Sequence, residues 1–229
     1  MAKTKTIENL FNYLASYSAF LPLIFFFLFL KKCRKERVIW IILVYSIYNY
    51  LTDIGLLYLN HNPSRIFLYS SFTFFEYSLF TSILYLVIKN KKFKKFIIIA
   101  SILFSTFIVS YNLSVKIKFL DSIPIGVEAI LILIFSFNYL YEQMQDTDNL
   151  FVYSRYPFWI VLGMMLYLAG SFFIYIYTSQ LPASQIARYW IFTNVFSILK
   201  NIFFSLAIII YKSQVTKKNI RQFNLSLLN

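Results

Sequence analysis

The chain is short of what a water-soluble domain of 229 residues places on its surface. Only 14% of its residues are charged, against about 25% in an average soluble domain, so there is no large water-facing surface to cover. A single cysteine, Cys33, excludes internal disulfides and any cysteine-based metal site. A single histidine, His61, lies in the polar stretch 60–65 and reads as a solvated turn residue. The chain has no His-Glu-x-x-His, no Gly-x-Ser-x-Gly and no Gly-Lys phosphate loop, so an enzyme is not expected. Four glycines and five prolines argue against the interrupted helices of many transporters. Acidic residues number nine against 22 basic ones, a net charge of +13. The basic residues fall in short clusters between apolar runs, which is a topology signal. Such clusters attract anionic lipid headgroups and call for no nucleic acid. Cys33 sits among lysines at a membrane face; acylation there is one reading and a free thiol the simpler one.

What is present is apolar sequence in long runs, 59% of the chain, with 21% aromatic residues. The central run is 66–88, which carries one charge, Glu76, and is flanked by Arg65 and by the basic stretch 89–95. At 1.5 Å rise per residue, about 20 apolar residues cross the hydrocarbon, so this run predicts a membrane-spanning helix. The same reading predicts an all-α polytopic bundle of seven helices over 13–30, 38–59, 66–88, 96–112, 122–141, 157–177 and 190–211. A polar lead, 1–12, precedes them and a basic tail, 212–229, follows. The stretch 31–37 stops transfer of the first span, and no small-residue cleavage site follows it, so that span is retained. Ser122 or Asp121 followed by Pro124 marks the start of the fifth helix. Gly163 and Gly170 lie two turns apart on the sixth, where small residues allow close helix approach.

Lys and Arg number fifteen in the stretches 31–37, 89–95, 142–156 and 212–229, and six in 1–12, 60–65, 113–121 and 178–189. Positive charge favours the cytoplasmic side. The expected orientation is therefore N-terminus outside and C-terminus in the cytoplasm, in a bacterial inner membrane.

The polar residues inside the spans are the candidate site: Asn49, Asp53, Glu76, Glu128, Asn194, Lys200 and Asn201. Ionisable groups at membrane depth are costly and mark functional sites by default. Glu76 and Lys200 fall near the middle of the third and seventh spans, and they are expected to meet. Asp53 and Glu128 sit roughly 6–7 Å to the outer side of centre at the helical rise. The four could share one cavity opening outward. The alternative is a set of separate interhelical hydrogen bonds with neutral carboxyls, in which Glu76 only staples helices together.

A lysine in the seventh helix and an acid in the third invite comparison with retinal proteins, with Trp159 in the polyene wall. Microbial rhodopsins carry an Asp four residues before the lysine, here Phe196, and an Arg three residues before the acid, here Thr73. Retinal on Lys200 therefore stays a subordinate reading, and no cofactor is expected.

Several motifs carry a resemblance: Phe75-Glu76-Tyr77 through the 89–95 stretch, Tyr139-Leu140-Tyr141-Glu142, Pro157-Phe158-Trp159 with Gly163 and Tyr167, and Asn194 with Asn201. Together they resemble uncharacterised seven-helix integral membrane proteins of Bacteroidota, over most of the chain from the second span onward. The resemblance implies a stand-alone membrane sensor module associated with two-component signalling, with polar residues at Glu76 and Asn201. It implies no catalytic residues. The expected function is a membrane sensory or signalling module with an outward polar cavity. Every cytoplasmic segment is too short for an effector domain, so a histidine kinase or other signalling partner is expected. A small transporter or proton-coupled permease using Asp53, Glu76 and Glu128 is the alternative, and an assembly subunit a third.

Overall fold

The computed structural model describes residues 2–58, 63–114, 122–145, 151–178 and 182–226. It is all-helical, 93% helix with no strand among the described residues. In chain order the helices are α1 (Ala2–Ser18), α2 (Phe20–Leu28), α3 (Leu30–Cys33), α4 (Arg37–Tyr58), α5 (Pro63–Val87), α6 (Lys91–Ser114), α7 (Ser122–Met144), α8 (Tyr156–Thr178) and α9 (Ala183–Ser226). A 3-10 turn, Val152–Ser154, precedes α8.

Among the described residues, six helical stretches are long and apolar enough to cross a membrane: Asn9–Leu28, Arg37–Leu56, Lys91–Leu113, Ile123–Met144, Tyr156–Ile174 and Tyr189–Lys217. This is the pattern of a multi-pass membrane protein. α5 is as long as the others, at 25 residues, but Glu76 and its many serines and threonines dilute its hydropathy. Six helices, against the seven expected, thus qualify on length and composition among the described residues.

Several boundaries differ from the sequence reading: α1 takes in the polar lead from Ala2, α9 begins at Ala183, and three further differences have a visible local cause. The first span is not one helix: α1 stops at Ser18 and α2 starts at Phe20. Pro22 has no N–H for the carbonyl of Ser18 and its ring crowds that carbonyl, which breaks the ladder. The stretch 89–95 is not a loop, because only residues 88–90 lie outside helix. Asn90 Oδ1 accepts from the backbone N–H groups of Lys92 (2.9 Å) and Phe93 (3.3 Å), capping α6 and drawing the lysines into its first turn. The basic tail continues as helix, since α9 runs 44 residues to Ser226, roughly 66 Å at the helical rise and twice the hydrocarbon thickness. The start of α7 at Ser122 is as expected. His61, Asp121, Asp146 and Asp148 lie outside the described residues.

Packing closes a ring. α9 lies against α1, α2 and α8; α8 against α7; α7 against α5; α5 against α4; and α4 against α2. α6 packs on the outside of α5 and α7, which is why its flanks (Ile102, Leu103) are exposed. Its hydroxyls bond within the helix, Ser101 Oγ donating to Ile97 O and Ser105 Oγ to Ser101 O, while Tyr77 Oη of α5 lies 3.0 Å from Ser101 Oγ and Asn112 Nδ2 donates to Ser70 Oγ of α5 at 2.8 Å.

The tightest contact, α8 on α9, is made at the two glycines. A Cβ on Gly163 would lie 3.0 Å from Phe203 Cβ and 3.4 Å from the Lys200 carbonyl, and one on Gly170 would collide with the Phe196 ring. Both glycines thus face a neighbouring helix, and the close approach brings α9 with Lys200 into the ring.

The two ends of the bundle differ in charge. Lys32 Nζ donates to Thr216 Oγ1 (2.6 Å), the Lys89 amide to Glu142 Oε2 (2.8 Å), and Gln214 Nε2 to the Ser154 carbonyl (2.6 Å). These contacts gather the α3–α4, α5–α6 and α7–α8 connections and the far half of α9 at one basic end. The opposite end carries α1.

Candidate functional site

Each helix of the ring turns its polar residues inward. On α4 these are Tyr45, Asn49, Thr52 and Asp53; on α5, Thr73 and Glu76; on α9, Asn194, Ser197, Lys200 and Asn201. Spacings of three, four or seven residues place most of each set on one helical face; Thr52 and Asp53, like Lys200 and Asn201, are adjacent and point about 100° apart. α7 adds Glu128 and α8 adds Tyr167.

At mid-depth Lys200, fully buried, donates from Nζ to the Tyr45 hydroxyl, which donates in turn to Glu76 Oε1 at 2.6 Å. Tyr167 is a second hydrogen-bond partner of Glu76. The ammonium also lies 3.7 Å from the Tyr167 ring centroid and 4.6 Å from that of Tyr45, so two aromatic faces help hold the charge. Glu76 and Lys200 do meet, as their depths predict, but through a phenol. Sequence reasoning missed Tyr45 and Tyr167, since tyrosine is common in this chain. The usable signal was the register of Tyr45, one turn from Asn49 and two from Asp53.

Above this relay, towards the end that carries α1, is a cavity of about 440 Å³. Asn49, Asp53, Glu76, Glu128 and Asn194 all line it. Lys200 and Asn201 do not; they belong to the packed layer beneath and beside it. Asn201 Nδ2 donates to Ser18 Oγ at 2.7 Å, at the break between α1 and α2, and so faces away from the relay. Asn194 Nδ2 donates to Asn12 Oδ1 at 2.6 Å, tying α9 to α1 at the rim. Asp53 is half-buried and has Ser16 as a hydrogen-bond partner. Asn12, Ser16 and Thr193 are cavity residues that the sequence reading did not single out.

Glu128 is 1% exposed, and its Oε1 has no hydrogen-bond partner among the protein groups. Three carboxyl groups therefore surround one cavity, and Lys200, the one lysine at that depth among the described residues, is already engaged below it. Trp159 lies elsewhere: it stacks on Phe203 and its indole N–H donates to the Tyr153 carbonyl at the basic end. It does not wall Lys200.

Cys33 is buried in a small apolar cluster with Phe26, Ile39, Leu43 and Ile208. Burial pushes its thiol pKa up.

Comparison with protein-family models, with curated proteins and with solved structures returned no match.

Proposed function

We propose that this chain is a seven-helix sensory or signalling module of the bacterial inner membrane, with α5 as the seventh span. The end with the cavity faces outward and the basic end lies in the cytoplasm, as the distribution of positive charge favours. The reading rests above all on one observation: the polar cavity draws its lining from one end of the bundle and is floored by a packed layer. Beneath it come Tyr45 and Lys200, then Phe80, Ile83 and Phe204, all without exposure. A cavity of this form binds a molecule; a permease also needs a route to the other side. Occupancy would be transmitted along α9, which runs from the cavity wall to the basic end and contacts α3 there. Membrane lipids surround the exposed apolar flanks, and a histidine kinase or similar partner would receive the signal at the basic end. The resemblance to stand-alone sensor modules points the same way.

Transport through Asp53, Glu76 and Glu128 is the competing reading. Purified chain in proteoliposomes separates the two, with uptake of labelled amino acids, amines and organic acids measured beside a pH-sensitive dye inside. The expected result is no protein-dependent uptake and no proton movement. Saturable uptake or counterflow of any of these solutes would overturn the sensor reading.

A further inference from the structure

The sensor reading requires a ligand site but does not say what chemistry fits it. We propose that the cavity binds an organic ammonium group, with Glu128 Oε1 as the anchoring acceptor.

Glu76 is held by Tyr45 and Tyr167, and Asp53 has Ser16. Glu128 is the remaining acid on the wall, and the acceptor capacity of its Oε1 is unused although it is 1% exposed. A buried acceptor without a donor is destabilising, more so if it is charged, and a ligand N–H group removes that penalty. Thr193, 5% exposed on the same wall, presents a second orphan oxygen.

Charge sets the sign of the ligand. Asp53, Glu76 and Glu128 surround the cavity, and the Lys200 ammonium is engaged with Tyr45 and the Tyr167 ring. Any charge these acids carry is negative, so a ligand cation lowers it and an anion adds to it. Size and wall exclude a bare ion. About 440 Å³ falls within the small-molecule range of roughly 300–1,000 Å³. No trio of His, Cys, Asp or Glu among the described residues is arranged to ligate a metal. Phe72 and Trp190 add aromatic surface to the wall, which suits a cation with an organic body. Asn49 offers an amide oxygen to orient it.

The test uses the purified full-length chain in detergent and three probes on one skeleton: 2-phenylethylammonium, 2-phenylethanol and 3-phenylpropionate. The ammonium should raise the unfolding temperature at millimolar concentration, and the alcohol and carboxylate should not. Glu128→Gln should weaken the ammonium at least about tenfold, the usual worth of a hydrogen bond to a charged group. Equal stabilisation by the alcohol, no stabilisation by the ammonium, or undiminished affinity in Glu128→Gln would each overturn the assignment. If that variant does not fold, the order of the three probes on the unmodified chain decides alone. Repeating the titration in phosphatidylglycerol nanodiscs with and without phosphatidylethanolamine identifies the source of the group. Competition by phosphatidylethanolamine assigns it to a lipid headgroup, and its absence to a soluble amine; both keep the ammonium chemistry. The proposal rests on the cavity being a ligand site, and its failure is distinguishable from failure of the sensor reading. Ammonium binding accompanied by uptake would overturn the sensor reading alone; absence of both would overturn the ammonium assignment alone.

Discussion

Replacing Tyr45 with phenylalanine removes one oxygen from the centre of the bundle and keeps the ring. That oxygen donates to Glu76 at 2.6 Å and accepts from the ammonium of Lys200, whose residue has no exposed surface. Hydrogen bonds to charged groups contribute about 1.5–3 kcal/mol each in soluble proteins, and interhelical ones in membranes average about 0.6 and reach about 1.7 kcal/mol. For two bonds the membrane values give a loss of about 1–3 kcal/mol. In a chain of this length each kcal/mol moves the unfolding temperature by about 2–4 °C, so a drop of about 2–12 °C is expected. The assay is thermal unfolding in detergent, followed by tryptophan fluorescence. The phenol also makes a second prediction, about coupling. Glu76→Gln and Lys200→Met should each destabilise the chain, and the double variant should recover much of the loss because no buried charge is left uncompensated. In the Tyr45→Phe background that coupling should fall by more than half. Tyr45→Phe melting within about 1 °C of the parent chain, with a double-mutant cycle that is additive in both backgrounds, would refute the relay.

Gly163→Leu should lower the unfolding temperature measured in the same way, because its Cβ meets Phe203 Cβ and the Lys200 carbonyl and overpacking typically costs about 1–3 kcal/mol. Gly170→Leu should act in the same direction by displacing the Phe196 ring; unchanged melting of both would place that face of α8 away from α9. A reporter fused after Asn229 should behave as cytoplasmic and one fused before Met1 as external, and the opposite labelling would invert the cavity. Cys33 should resist a maleimide at pH 7 in the folded chain and react once unfolded. Its raised pKa lowers the thiolate fraction at that pH, and it has no exposed surface.

The apolar runs and their length by themselves determined that the chain is helical and crosses a membrane, since hydrocarbon leaves a backbone few other ways to satisfy its polar groups. They also located the starts of α4, α7 and α8 to within a residue, Ser122 with Pro124 among them. The rarity of polar residues inside those runs named Asn49, Asp53, Glu76, Glu128 and Asn194 as a set, and all five line one cavity. Element boundaries were less legible where a local group overrides composition: Asn90 capping α6, Pro22 dividing the first span, and α9 carried past the membrane by contacts such as Lys32 with Thr216. The tertiary structure alone decided which helices adjoin, and so which polar residues share space. Sequence depth puts Glu76 and Lys200 at one level, but the ring order of α4, α5, α8 and α9 puts Tyr45 between them and Tyr167 against the ammonium. It likewise placed Lys200 and Asn201 outside the cavity and left Glu128 Oε1 without a partner inside it. The physical reason is that burial of a polar atom depends on what the neighbouring helices bring to it, and a single helix carries no record of its neighbours.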